Sequence, residues 1–444
     1  MPRKYCDGMR RRDVLRVGAA GLFGTSFTLA DLFRREARAA EGNAAPGGDC
    51  SLIILFLKGG LSTIDTWDLK PAAPVEFRGE FRPIDTNIAG IQIGEDLPVL
   101  ARQMDKFALV RNFGHRNSDH GPADHYMLTG YHPLAGFNPN LTPNNQRPAL
   151  GSILSRKLGP RESTPAYVCL PRMHASAGPA YLGAAAAPFV VEADPNSPNF
   201  SVPDLSPPLE IAADRLQSRQ ELLGTVDRYR HREEVQANRS ALAVSGFQRK
   251  AFELMTSSAT RRAFDIHQEP AALSDEYGRN SLGQSCLMAR RLVEAGVRCV
   301  TIDHTNWDTH QENFSVLRKD LLPMLDRGMA TLFRDLADRG LLESTLVVVT
   351  GEFGRTPRIN QNAGRDHWGP AMTVALGGAG VKGGRVVGAS DARAERPDGP
   401  PYGPEDLAAT ICRLMKINPD DEFLTPEGRP IKIANNGKMM TELF

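Results

Sequence analysis

The sequence predicts an α/β fold, a mainly parallel sheet with helices on both faces. Three features carry that expectation. Short apolar runs rich in branched residues recur along the chain, each stopped by glycine or a polar cluster. Segments with helical apolar spacing separate them. Histidines and acids gather just after the ends of the runs. Strands alternating with helices give a parallel sheet covered on both sides, and such sheets place their chemistry outside the carboxyl ends of the strands.

The first run, SLIILFL at 51–57, is continuous, apolar and stopped by Lys58-Gly59-Gly60, the pattern of a buried parallel strand. Residues 107–110 and 166–170 follow as strands, the latter closed by Pro171. Residues 175–208, rich in Ala, Gly, Pro and Asn, read as a long surface excursion. Residues 209–268 are charged and almost free of Gly and Pro, and form a helical insertion with helices at 212–223, 226–243 and 247–264. A helix at 281–295 carries Leu282, Cys286, Met288, Ala289, Leu292 and Val293 on one face, and Gly296 stops it. Strand 297–302 is followed by a long helix at 315–339, which Pro323 is expected to kink. Strands at 344–350 and 371–376 and a helix at 402–414 complete the series.

The composition limits the function. Of 444 residues, 53 are Lys or Arg and 52 are Asp or Glu, a net charge of +1. A nucleic-acid binder would show a basic excess, so none is expected as a partner. The six cysteines form no C-x-x-C pair, which argues against a zinc knuckle or a thioredoxin-type site. They read as small buried hydrophobes with at most one bridge.

Residues 1–39 read as an export signal. Arg10-Arg11-Arg12-Asp13-Val14-Leu15 resembles the twin-arginine motif, and the uncharged stretch 17–30 is too short to span a bilayer. Ala37-Arg38-Ala39 offers a cleavage site, and 40–49 a flexible mature start. The expected partner during export is the twin-arginine translocase, the expected location periplasmic or secreted, and no stable membrane anchor is expected. The rest, 50–444, is one α/β domain carrying the insertion.

The polar clusters hold the candidate chemistry. After 51–57 come Lys58, Ser62 and Asp65; after 107–110 come His115, Asp119, His120, Asp124 and His125. After 297–302 come Asp303, His304, Asn306, Trp307, Asp308 and His310. After 344–350 come Glu352, Phe353 and Arg355, with Arg365, Asp366, His367 and Trp368 downstream. Carboxylates and imidazoles together suit Zn²⁺ or Mn²⁺ better than Ca²⁺, which prefers oxygen alone. Such an ion lowers the pKa of bound water or polarises a phosphate or sulfate oxygen. An Asp and a His at i, i+2, as at Asp308 and His310, can converge when the loop is extended, and Arg355 is a forked donor for a tetrahedral oxyanion.

Four motifs in order, ARRLVEAGVR (289–298), NWDTHQENF (306–314), TLVVVTGEFGRTPRIN (345–360) and GRDHWGPA (364–371), resemble the exported bacterial family that shares domain of unknown function 1501. The resemblance spans about 50–444 and implies remote kinship with the alkaline phosphatase and sulfatase superfamily. It implies an alkaline phosphatase/sulfatase-like fold and metal-dependent hydrolysis of phosphate or sulfate esters, on a small molecule or a polysaccharide. In sulfatases the first strand ends in acidic metal ligands; here it ends in Lys58-Gly59. The sulfatase nucleophile precedes a Pro and then a Thr-Gly pair; here His120-Gly121-Pro122 and Thr129-Gly130 are similar. His120 is thus a nucleophile, a metal ligand or a general acid. Asp308 and His310 look like the Asp/His ligand pair, Glu352 like a replaced Asp ligand and His367 like the last His ligand, whereas Phe353 stands where a His ligand is usual. The resemblance implies Asp308, His310, Glu352, Asp366 and His367 as metal ligands and His120, Arg355 and Lys58 as the catalytic candidates. The alternative is a non-catalytic exported binding or scaffold protein on the same fold.

Overall fold

A computed structural model describes residues 50–161, 163–205 and 257–444. The segments expected to be the export signal and the mature start, and residues 209–256 of the expected helical insertion, lie outside the described residues. Among the described residues no helix is long and apolar enough to cross a membrane, and Cys50, Cys169, Cys286, Cys299 and Cys412 are all free.

An eight-stranded sheet organises the chain. Its strands are β1 (Ser51–Leu57), β2 (Phe107–Phe113), β3 (Tyr167–Leu170), β4 (Phe189–Val190), β5 (Cys299–His304), β6 (Thr345–Thr350), β7 (Met372–Gly377) and β8 (Arg385–Val387). Their spatial order is β8-β2-β7-β6-β1-β5-β3-β4. β1 lies parallel between β5 and β6, with Ile54 opposite Thr301 and Val348. β3 runs parallel to β5 and β4, and β8 parallel to β2. Only β7 is reversed, antiparallel to both β2 and β6. All six runs expected from the sequence are strands of this sheet. The two edge strands, β4 and β8, were not expected. β4 has two half-covered residues and β8 two half-covered ones and the buried Val387, too few to show a period of two.

β1 is fully buried along its length, which is why its sequence does not alternate. The pleat sends alternate residues to opposite faces. Ile53, Leu55 and Leu57 join Leu287, Leu292, Leu332 and Phe333 from α3 (Ser281–Glu294) and α4 (Leu322–Asp338). Leu52, Ile54 and Phe56 join Leu128, Ile153, Leu154, Leu407 and Ile411 from α1 (His120–Thr129), α2 (Leu150–Leu158) and α5 (Pro404–Leu414). Helices therefore cover both faces.

Pro323 falls in the first turn of α4, where its missing N–H costs nothing. A short helix Asn313–Val316 and a π-helical turn Leu317–Leu321 precede it, so the chain stays helical and takes up the proline through a wider turn. Of the described tail of the insertion, Ser258–Phe264 is helical, with the Ser257 hydroxyl accepting from the Thr260 amide as its N-cap.

The two faces make a direct stability test. Leu346 in β6 is wholly buried, whereas Leu424 is 68% exposed. Leu346→Ala is expected to lower unfolding free energy by about 2–5 kcal/mol and Leu424→Ala by less than about 0.5. Urea melts check this, and equal losses would contradict the placement of the core.

Candidate metal centre

The topology brings five segments to one edge. β1, β2, β5 and β6 all point their carboxyl ends there, delivering Lys58, His120, Asp308 with His310, and Glu352 with Arg355. Because β7 is reversed, its leading residues reach the same edge, and these include Asp366 and His367. The pairing of Gly354–Arg355 with His367–Trp368 sets His367 opposite Arg355.

Three imidazoles meet one carboxylate. His367 Nε2 lies 3.0 Å and His310 Nε2 3.1 Å from Asp308 Oδ1. His120 Nε2 lies 3.2 Å from Asp308 Oδ2. The ligand atoms of His120, Asp308 and His367 fall within 4.8 Å of one another, and His310 Nε2 is 2.9 Å from His367 Nε2. The Asp308 carboxylate is 42% exposed, so the cluster opens to solvent.

Each ring is oriented from behind. His120 Nδ1 is 2.6 Å from Glu352 Oε1, His310 Nδ1 is 2.8 Å from Asp366 Oδ1, and His367 Nδ1 is 2.9 Å from the Ser118 carbonyl. Those partners only accept, so Nδ1 carries the proton in every ring. In the neutral imidazole, Nε2 is then a bare lone pair. With the three rings neutral, three lone pairs converge on a carboxylate, each backed by an acceptor on the other nitrogen, as in metal-binding histidines.

Glu352 and Asp366, expected as ligands, stand one layer back, on the far side of His120 and His310. Glu352 is wholly buried; its oxygens accept from the Gly59 amide at 2.9 and 3.0 Å and from Lys58 Nζ at 3.0 Å. Burial alone would raise its pKa, but the bond from His120 and the Lys58 charge hold it well below the usual carboxylate range. A side chain on Gly59 would strike the Asp308 amide at 2.4 Å, and its φ is +119°, so only glycine permits this approach.

Arg355, expected to face a substrate oxyanion, is a buried strut. It donates to the carbonyls of Gly59, Gly60, Trp307 and Arg365 and to Asp308 Oδ1, with no exposed side-chain surface. Burial opposes ionisation of Asp308, but the Arg355 guanidinium bonded to it holds it well below the usual carboxylate range. Lys58 keeps some exposure, 22% of its side chain, and bridges Glu352 to Asp124, 2.8 Å away. Burial works against its charge, yet Glu352 and Asp124 raise its pKa.

The remaining clustered histidines are structural. His115 Nε2 donates to the Glu352 carbonyl, His125 lies between the Tyr131 carbonyl and the Gln146 and Arg147 amides, and His304 Nδ1 accepts from Trp307. Sequence reasoning missed Ser118, which acts through a backbone carbonyl and leaves no side-chain signal. It also missed His174, buried 3.5 Å from Asp124 Oδ1.

A family model described as "Protein of unknown function (DUF1501)" matches residues 49–444. No curated protein matches the chain. Among solved structures, Ps i-CgsB in complex with k-i-k-neocarrahexaose is 13% identical over 83% of this chain and 72% of that one, with a TM-score of 0.38. A sulfatase from Pseudoalteromonas sp. is 11% identical over 88% and 72%, with a TM-score of 0.34. A phosphonate monoester hydrolase from Silicibacter pomeroyi is 13% identical over 88% and 76%, with a TM-score of 0.35.

The structural histidines set a pH response. Burial pushes His115, His125 and His304 down to about 4 from an ordinary 6.5. Between those values the unfolded chain binds more protons, so their contribution is full above about 6.5 and lost as pH falls through about 4. His174 opposes this: burial lowers its pKa, but Asp124 raises it overall, so its contribution fades as pH rises through the folded value. His120, where burial lowers the pKa but the bond to Glu352 raises it overall, opposes it as well; the three large downward shifts set the sign, and the denaturant midpoint of chelator-treated protein is expected to fall from about pH 7 to about pH 4.5. A midpoint that holds or rises would contradict three neutral buried imidazoles.

Proposed function

The chain belongs to the DUF1501 family, and we propose that it is an exported, metal-dependent hydrolase of phosphate or sulfate esters. The observation that carries this reading is the convergence of His120, His310 and His367 Nε2 on the Asp308 carboxylate, with each Nδ1 tied to an acceptor. These four residues would hold one divalent ion. A donor set of three nitrogens and a carboxylate suits Zn²⁺ or Mn²⁺ ahead of Ca²⁺. When bound, the ion supplies Lewis acidity and lowers the pKa of a water toward neutrality.

The chain's own groups have separate tasks. Glu352 and Asp366 fix the ring orientations of His120 and His310 and keep Nε2 free of protons. Arg355 keeps Asp308 ionised and in place. Lys58, held between Glu352 and Asp124 with 22% of its side chain exposed, is the candidate to meet an anionic ester. The ligand role for His120 is supported over the nucleophile role, because its Nε2 already faces Asp308 and its Nδ1 is committed to Glu352. The twin-arginine run of residues 10–12 supports export through the twin-arginine translocase to the periplasm or beyond, a pathway that carries proteins already folded and so is compatible with an ion loaded beforehand. The substrate is a small-molecule or polysaccharide ester; the near-neutral charge gives no support for nucleic acid.

Elemental analysis and turnover of aryl phosphates and aryl sulfates test this. About one zinc or manganese per chain is expected, removed in Asp308→Ala together with turnover. Asp366→Asn is expected to keep the site but weaken metal binding by about 10–100-fold, as for other outer-sphere partners. Metal-free protein inert to both ester classes would instead support the non-catalytic scaffold.

A further inference from the structure

Two loops carry three of the four proposed ligands: residues 305–312 bear Asp308 and His310, and 356–367 bear His367. They are zipped together along their backbones. The amides of Glu312, Asn313 and Arg365 donate to the carbonyls of Asn362, Ala363 and Thr309 at 3.0, 2.9 and 3.1 Å. At Gly364 the approach is so close that a side chain would meet the His310 carbonyl at 1.9 Å. Asn360 Nδ2 adds a bond to the same carbonyl at 3.0 Å.

A buried ion pair then fastens this double loop to the turn after β1. Arg365 Nε and Nη2 donate to Asp65 Oδ2 and Oδ1 at 2.7 and 2.9 Å, and both side chains are wholly buried. Asp65 Oδ2 also accepts from Ser62 Oγ at 2.6 Å and from Asn313 Nδ2 at 2.8 Å. Asn313 Oδ1 in turn accepts from Thr309 Oγ1 at 2.6 Å. One carboxylate therefore holds the residue two before His367 directly, and the residue between Asp308 and His310 through Asn313. The other Arg365 donors go to the carbonyls of Thr356, Pro357 and Phe77. Burying a charge pair costs desolvation that only such full hydrogen bonding offsets, and apolar side chains would fill the space without that cost. A bidentate fork, unlike apolar packing, also fixes direction.

We propose that Asp65 is a positioning residue of the metal centre: through Arg365 and Asn313 it sets the separation of the two ligand loops, and with it the affinity and coordination of the ion. This rests on the proposed metal site. None of the three residues touches the ion or a substrate.

The test compares Asp65→Asn with Asp335→Asn in full-length protein. Asp335 closes a different buried ion pair, with Arg290 between α3 and α4, and has no bond to either ligand loop. Both variants should unfold more readily. Only Asp65→Asn should weaken zinc binding, by about 10–100-fold in chelator competition, and alter the visible spectrum of the cobalt-substituted protein. Asn313→Ala, which leaves no buried charge unpaired, should shift the same spectrum and carries the test if Asp65→Asn does not fold. Wild-type affinity and spectrum in the variants, or an equal loss in Asp335→Asn, would overturn the proposal. Absence of zinc binding by the wild-type chain would overturn the metal site itself, a separate outcome.

Discussion

With its imidazoles neutral, the cluster at the carboxyl edge of the sheet sets three ring lone pairs against the Asp308 carboxylate, and acceptors at about 3 Å repel unless something positive lies between them. The tautomers are not free to relieve this. His120 and His310 have their Nδ1 protons committed to carboxylates, and His367 has its own committed to a carbonyl. A single added proton satisfies one contact, whereas a divalent cation would be shared by His120, Asp308 and His367 at once, their ligand atoms lying within 4.8 Å of one another. The surroundings follow from that demand. Glu352, Asp366 and Ser118 hold the rings, Arg355 holds Asp308, and the Lys58 ammonium balances the buried Glu352 and Asp124 carboxylates.

The fold meets this demand through one reversed strand. With all strands parallel, the segment before β7 would leave from the opposite edge, and His367 would lie far from Asp308. Reversal of β7 between β2 and β6 turns the residues ahead of it into an edge loop. The glycines serve the same geometry: Gly59 admits the Asp308 amide and Gly364 the His310 carbonyl. Both sit where backbones approach more closely than any side chain allows.

The sheet was legible because its strands are buried on both faces and read as plain apolar runs. The gathering of Asp308, His310 and His367 with His120 was legible for a related reason, since polar residues after strand ends share an edge. The order of the layers was not. Composition makes Glu352 as good a ligand as Asp308, and only the fold buries it behind His120 beneath the Gly59 amide. Arg355 reads as an anion binder until its donors are found on backbone carbonyls. The helix that begins at His120 was hidden because buried Asp124 and His125 interrupt its apolar stripe of Ala123, Met127 and Leu128. The Asp65–Arg365 pair joins residues 300 positions apart, and no local spacing announces it.

The central claim is that these imidazoles and this carboxylate share one cation. X-ray absorption spectroscopy of the zinc-loaded protein addresses it most directly. The account predicts about one zinc per chain with an inner shell of three imidazole nitrogens and a carboxylate oxygen, at roughly 2.0–2.2 Å. An inner shell of oxygens alone, a sulfur ligand, or no zinc retained after dialysis would contradict it.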